Sequence, residues 1–232
     1  MRLHRFIVSF PITDEMITVK ETALIYQWQK VLRLKPDDEI ILSDGNGTER
    51  RVIIVSLERA ATKLKIVESY KNEHEPSFNV LLYASIIKRD NFEWLAQKAV
   101  ECGVKSITPI TTERTVKTKL NETRIKKIMH EAAEQSFRAS IPKLNKILSF
   151  EEALKDAEEK SAQIFICDPT YKDNLIQSLK NISRAVFIGP EGGFTERELQ
   201  LAELFGALKL SLGKTILRAE TAAIVAVHKL AN

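Results

Sequence analysis

In the first 70 residues the hydrophobic positions fall into short runs that predict strands. Residues 3–8 (Leu-His-Arg-Phe-Ile-Val) predict one strand, residues 38–43 a second, and the β-branched stretches 48–57 and 62–70 two more. One stretch differs: Leu24, Trp28, Val31 and Leu32 recur at helical spacing, which predicts a short helix over 22–33. Ser43-Asp44-Gly45-Asn46-Gly47 follows a strand with Asp-Gly and Asn-Gly pairs that tolerate positive φ, so a tight hairpin is expected there. The segment reads as a small barrel or sandwich with one helix. Lys71-Asn72-Glu73-His74-Glu75-Pro76 is polar and ends in proline, which places a domain boundary after residue 72. Beyond it the pattern alternates. Strands are expected over 78–85, 105–110, 163–167, 184–188 and 207–212. Helices are expected over 90–101, 121–137, 150–158, 173–180, 195–205 and 219–230. Such alternation predicts an α/β domain over 73–232 with a mainly parallel sheet, whose ligands bind in loops beyond the carboxyl ends of the strands.

The chain has 232 residues, which suits one large domain or two unequal ones. Its composition, 44% apolar with 8 Gly and 7 Pro, excludes a collagen, a disordered tail or a disulfide-stapled miniprotein. Apolar runs stay well short of the ~20 residues a membrane span needs, and Met-Arg-Leu-His-Arg-Phe-Ile-Val-Ser-Phe does not read as a signal peptide. Cys102 and Cys167 are flanked by apolar residues and fit reduced thiols in a cytoplasmic protein. The four His show no metal-ligand spacing, so no structural zinc is expected. The net charge of +4 is uneven: residues 105–146 carry 10 basic and 4 acidic side chains, the rest nearly balance. Clustered cations suit a phosphate backbone, although a solvated helix face is the plainer reading.

Four strings carry candidate chemistry. Ile188-Gly-Pro-Glu-Gly-Gly-Phe194 closes a buried strand, and Thr195 with Glu198 forms a capping box that opens a helix. Three Gly in five residues permit unusual φ values and a close approach of backbone to ligand. A tight strand–helix turn is the alternative. Leu212-Gly-Lys-Thr-Ile-Leu-Arg218 likewise ends a strand before the Ala-rich helix, where Arg218, Glu220 and Thr221 cluster at the helix start; capping of a core helix is the alternative. Glu131 to Arg138 offers i,i+4 pairs that either stabilise a helix or face RNA or a neighbouring subunit. Thr111 to Lys117 lies just past a strand end, as a phosphate contact or a solvated connection. No order of residues suggests a covalent nucleophile or a two-metal centre.

Taken together, these strings resemble a known family. Lys88-Arg-Asp-Asn-Phe-Glu-Trp94, Gln97 to Val104, Glu113-Arg-Thr115, Glu131-Ala-Ala-Glu-Gln-Ser136, Ile188 to Phe194 and Ile216-Leu-Arg-Ala-Glu-Thr-Ala-Ala223 are similar to the bacterial 16S ribosomal RNA uridine-N3 methyltransferases of the SPOUT superfamily. His4-Arg5-Phe6, Val31 to Leu34 and Asp44 to Gly47 match that family's RNA-binding domain, a PUA-like β-barrel. The resemblance implies a C-terminal SPOUT-type trefoil-knotted α/β domain with a mainly parallel sheet, residues 73–232, beside the barrel of residues 1–72. It implies that S-adenosyl-L-methionine binds in the knot of a cytoplasmic homodimer acting on 16S RNA of the small subunit. The implied cofactor residues are Ile188, Gly189, Pro190, Glu191, Gly192 and Gly193 in one loop, and Leu212, Gly213, Ile216, Leu217 and Arg218 in the other. RNA contacts fall to Arg5, Arg33, Arg114, Lys117, Arg124, Lys127 and Arg138. The chain departs from the family pattern in Cys102, Phe137 and Lys214-Thr215.

Methyl transfer from a sulfonium is an in-line displacement, so orientation carries much of the catalysis. Uracil N3 bears a proton that must be removed, or its imide anion stabilised. Arg218 is the candidate for stabilising that anion, with Glu191 or Glu220 accepting a proton or orienting it. Two further readings are a knotted methyltransferase for another base or a ribose 2′-oxygen, and a non-catalytic ribosome-assembly protein that binds RNA.

Overall fold

The computed structural model describes residues 3–116, 119–168 and 183–232; the helix expected over 173–180 lies outside them. The chain divides into two compact units, Met1–Glu75 with Ala133–Ile141, and Pro76–Ala132 with Pro142–Asn232.

The first unit is a five-stranded sheet in the order β1 (His4–Ile7), β3 (Glu39–Ser43), β4 (Thr48–Leu57), β5 (Thr62–Lys71), β2 (Met16–Val19). β1 runs parallel to β3 and the other pairings are antiparallel. The strands wrap their apolar faces around Trp28, which is fully buried and meets the Phe6 ring edge-on at 5.4 Å. The helix expected over 22–33 is α1 (Thr22–Tyr26), continued by a π-turn over Gln27–Val31 in which the Leu32 N–H reaches the Gln27 carbonyl. Arg33 then turns into the left-handed region at φ 55° and ends it. In the 44–47 hairpin the Asp44 carboxylate accepts from the backbone N–H groups of Asn46 and Thr48, while Gly45 and Gly47 take the positive φ values expected of them.

Residues 133–141 complete this unit. Glu134 accepts the Ile7 N–H at 2.9 Å, and the Ser43 hydroxyl donates to the Ala139 carbonyl. The Arg138 guanidinium, 3% exposed, holds Glu75 through Nε and Nη2. Burial alone would raise the Glu75 pKa, but the hydrogen bonds and charge of Arg138, with the Ser140 and Ala139 N–H groups, bring it below the usual carboxylate range. Arg5 is also buried, bonded to Glu49 at 2.6 Å and stacked 4.4 Å over the Phe137 ring. Phe137 accepts a left-handed φ of 64° while its ring packs under Arg5 and beside His74.

The second unit is a parallel α/β sheet in the order β12 (Leu208–Leu210), β10 (Gln163–Cys167), β11 (Arg184–Ile188), β6 (Val80–Ser85), β7 (Val104–Thr111), β8 (Lys143–Leu144), with β9 (Leu148–Ser149) also on β7. Its central strands are buried throughout, as a sheet covered on both faces requires. On one side α2 (Arg89–Glu101) packs against α6 (Ala219–Ala231) through fully buried alanines such as Ala96, Ala99, Ala223 and Ala226, which bring the helices close. On the other, α4 (Phe150–Glu159) and α5 (Glu196–Leu204) enclose a cluster with Tyr83 stacked on Phe187 at 4.6 Å. α3 (Glu122–Gln135) follows β7 in sequence. Among the described residues no helix is long and apolar enough to cross a membrane.

Candidate functional site

The carboxyl ends of β10, β11 and β12 lie side by side, because β10 is hydrogen-bonded between the other two. The end of β10 and the loops leaving β11 and β12 line a cavity of about 810 Å³, within the range of roughly 300–1,000 Å³ usual for small-molecule sites. The strand-end rule for parallel sheets thus locates the cavity.

From β11 come Ile188, Gly189, Pro190, Glu191, Gly192 and Gly193, all lining it. The Gly193 N–H donates to the Pro190 carbonyl at 2.8 Å and closes a turn; Gly193 sits at φ 69°, where a side chain would be strained. Phe194 anchors the loop on Phe150, their rings 5.2 Å apart. Thr195 then caps α5 as its sequence predicts. Its hydroxyl accepts the Glu198 N–H, and Glu198 accepts the Thr195 N–H at 2.8 Å. Thr195→Ala is expected to lower stability by about 1 kcal/mol, measured by denaturant unfolding.

From β12 come Leu212, Gly213, Ile216, Leu217 and Arg218, also lining the cavity. Arg218 is the N-cap residue of α6, yet its side chain makes no capping bond and is exposed. Glu220, in the first turn of α6, is buried; its carboxylate accepts from Asn91 Nδ2 at 3.4 Å. Glu191, by contrast, is exposed. The helix N-terminus adds its partial positive charge beside Arg218.

Every residue expected at the cofactor loops, together with Glu191, Arg218 and Glu220, therefore borders one cavity. The structure adds Asn91 from α2, Cys167 and Asp168 at the end of β10, and Lys209. Asn91 stood within the Lys88–Trp94 string, but nothing local tied it to a site. Burial pushes the Cys167 thiol pKa up, so it stays protonated and unreactive near neutral pH. The charged lining comprises Asp168, Glu191, Glu196 and Glu220 against Lys209 and Arg218. That excess of carboxylates suits a ligand carrying positive charge.

The described residues expected at RNA differ in their surroundings. Arg5 and Arg138 are turned inward on Glu49 and Glu75, which corrects their reading as surface contacts: each charge is neutralised inside the first unit. Arg114 reaches the glycine loop, donating to the Gly192 carbonyl at 2.5 Å. Arg124 is exposed but bonds the buried Glu93 at 2.7 Å. Lys127 forms an exposed pair with Glu131, and Arg33 is exposed. Lys117 lies outside the described residues.

Comparison with known proteins agrees with this architecture. Residues 73–231 match the model of an RNA methyltransferase domain, and residues 29–67 that of an RNA methyltransferase PUA domain. Ribosomal RNA small subunit methyltransferase E of Mesomycoplasma hyopneumoniae is 34% identical over 206 residues, covering 86% of this chain and 88% of its own. This chain belongs to that family. The fold agrees: the same enzyme from Neisseria gonorrhoeae, solved bound to S-adenosyl methionine, superposes with a TM-score of 0.88 at 29% identity, over 98% of this chain and 96% of its own. A methyltransferase from Legionella pneumophila, solved with its cofactor SAM, gives a TM-score of 0.87 at 27% identity, over 99% and 97%. The family is a member of the SPOUT methyltransferases, so the superfamily read from the motifs holds, as do the PUA-like first domain and the α/β domain with its parallel sheet.

Proposed function

We propose that this protein transfers a methyl group from S-adenosyl-L-methionine to N3 of one uridine in 16S RNA of the small ribosomal subunit. The observation that carries the reading is the single cavity into which both glycine-bearing loops converge. Its size, glycine-lined rim and carboxylate-rich wall fit an adenosyl group joined to a cationic sulfonium and an ammonium. The family's SAM-bound member has the same fold. When bound, S-adenosylmethionine supplies an electrophilic methyl group on sulfur. The backbone of residues 188–193 and 212–217 holds and orients it. Arg218 donates to a uracil carbonyl as the ring becomes an imide anion, and the α6 N-terminus supports that charge. Glu220, held by Asn91, is better fixed than exposed Glu191 to orient Arg218 or accept the N3 proton. The trefoil threading and the homodimer that the family resemblance implies, and a cytoplasmic location, belong to the same proposal.

The test is mass spectrometry of 16S nucleosides from cells with and without the protein. 3-Methyluridine is expected only where the protein is present. A 2′-O-methylated product would shift the reading to ribose, and no change in any nucleoside would favour a non-catalytic RNA-binding role.

RNA phosphates are proposed to meet Arg33, Lys117, Arg124 and Lys127. Affinity for the RNA should then fall with salt, with a log–log slope of about −0.7 to −0.9 per phosphate contacted. A flat response between low and physiological salt would remove these contacts.

A further inference from the structure

Arg114 lies on the loop after β7, where an RNA contact was expected, but its guanidinium points at the glycine loop. Nη1 donates to the Gly192 carbonyl at 2.5 Å and lies 3.4 Å from the Phe194 carbonyl. The residue before Arg114 is engaged too: the Glu113 N–H donates at 2.9 Å to Glu198, the buried carboxylate that also accepts the Thr195 N–H. Thr112 and Thr115 tie this loop to itself, with the Thr112 N–H on the Thr115 hydroxyl at 2.9 Å and the Thr115 N–H on the Thr112 carbonyl at 3.0 Å. Residues 112–115 thereby form a closed turn that carries Arg114.

The consequence is clearest for single peptide planes. The plane joining Gly192 to Gly193 is held at its carbonyl by Arg114 and at its N–H by the Pro190 carbonyl. The plane joining Phe194 to Thr195 is held at its N–H by Glu198 and approached at its carbonyl by Arg114. Adjacent glycines would otherwise sample many conformations, and a flipped peptide would turn a carbonyl where an N–H should stand. A Cβ placed on Gly192 would come 3.3 Å from Arg114 Cδ, so the glycine also leaves room for the arginine to lie across it.

We infer that Arg114 is a positioning residue for the cofactor loop: it fixes the Gly192–Phe194 backbone in the conformation that receives S-adenosylmethionine, and it does so from outside the cavity. This rests on the proposed function. Preorganisation of this kind acts on affinity, because a loop already ordered loses less freedom on binding.

The test uses the full-length protein with wild type, R114A and R114K. Calorimetry with S-adenosylmethionine alone should show R114A binding about 10- to 100-fold more weakly, the range expected when a few residues must be ordered on binding. R114K should fall between, since an ammonium on a flexible stem can reach the same carbonyls through one nitrogen as Nη1 does but is held there less firmly than the planar guanidinium. At saturating cofactor, R114A should keep kcat within about twofold, so the loss appears in KM for the cofactor. Affinity for 16S RNA and its salt slope should be unchanged. Melting without cofactor should match wild type, because the Arg114 side chain is exposed. Should R114A bind cofactor as wild type does, the clamp is overturned; a weaker RNA affinity with a salt slope about one unit shallower would return Arg114 to the RNA. A wild-type protein with no affinity for S-adenosylmethionine would instead overturn the function beneath it.

Discussion

Arg218→Ala is expected to lower kcat by about 10²- to 10³-fold, the usual cost of removing one preorganised donor from a developing anion. That corresponds to about 3–4 kcal/mol of transition-state stabilisation. The expectation follows from where the residue sits. Arg218 begins α6 but makes no cap, so its guanidinium is available to the cavity rather than committed to the helix. The charge it would meet exists only as N3 loses its proton, so the ground state gains little from it. Affinity for S-adenosylmethionine should therefore change by less than about threefold, the signature of an interaction made in the transition state. Single-turnover kinetics on 16S RNA, run beside calorimetry with the cofactor, separates the two quantities. Equal losses in turnover and cofactor affinity would place Arg218 among the binding groups and leave the anion without its donor. Arg218→Lys should recover only part of the rate, because an ammonium cannot reproduce the planar fork.

Both glycine loops were legible in the sequence because their signals are local. A buried β-branched run, then glycines, then a capping box specify a strand end, a backbone-lined pocket and a helix start within about a dozen residues. The parallel sheet was legible for the same reason, through its alternation of strand and helix. What escaped was long-range. Arg5 and Arg138 resemble RNA contacts in sequence, since nothing local reveals that Glu49 and Glu75, 44 and 63 positions away, will receive them. The tail of α3 packing with the first unit is equally invisible, because it depends on Glu134 finding a backbone N–H 127 positions away. β2 leaves little trace in the sequence although Met16-Ile17-Thr18-Val19 alternates exposed and buried; four residues after Asp14-Glu15 give too short a run to stand out. The helical spacing of 22–33 was real, but side-chain periodicity cannot distinguish an α-turn from the π-turn that follows Tyr26. Asn91 needed the packing of α2 on α6 before it could meet Glu220.

Gly192→Val is expected to weaken S-adenosylmethionine binding by about 10- to 100-fold, the equivalent of the roughly 1–3 kcal/mol that overpacking costs. Gly192 does not need a left-handed φ, so the argument rests on space alone. Its first added carbon would stand 3.3 Å from Arg114 Cδ and 3.7 Å from Arg114 Cβ, tight but adjustable by a few tenths of an ångström. Gly192→Ala should therefore cost only a few-fold. The two further methyl groups of valine add bulk beside the Arg114 side chain and are expected to push it off the loop. Since Gly192 is exposed, neither substitution removes core packing, and cofactor-free melting temperatures should stay close to wild type. Calorimetry across wild type, alanine and valine then reads the loop directly. A graded loss, small for alanine and large for valine, is the expected pattern. Unchanged affinity in the valine variant would mean that the turn at 190–193 does not contact the adenosyl group, and the cofactor would have to be sought along the 212–218 side of the cavity.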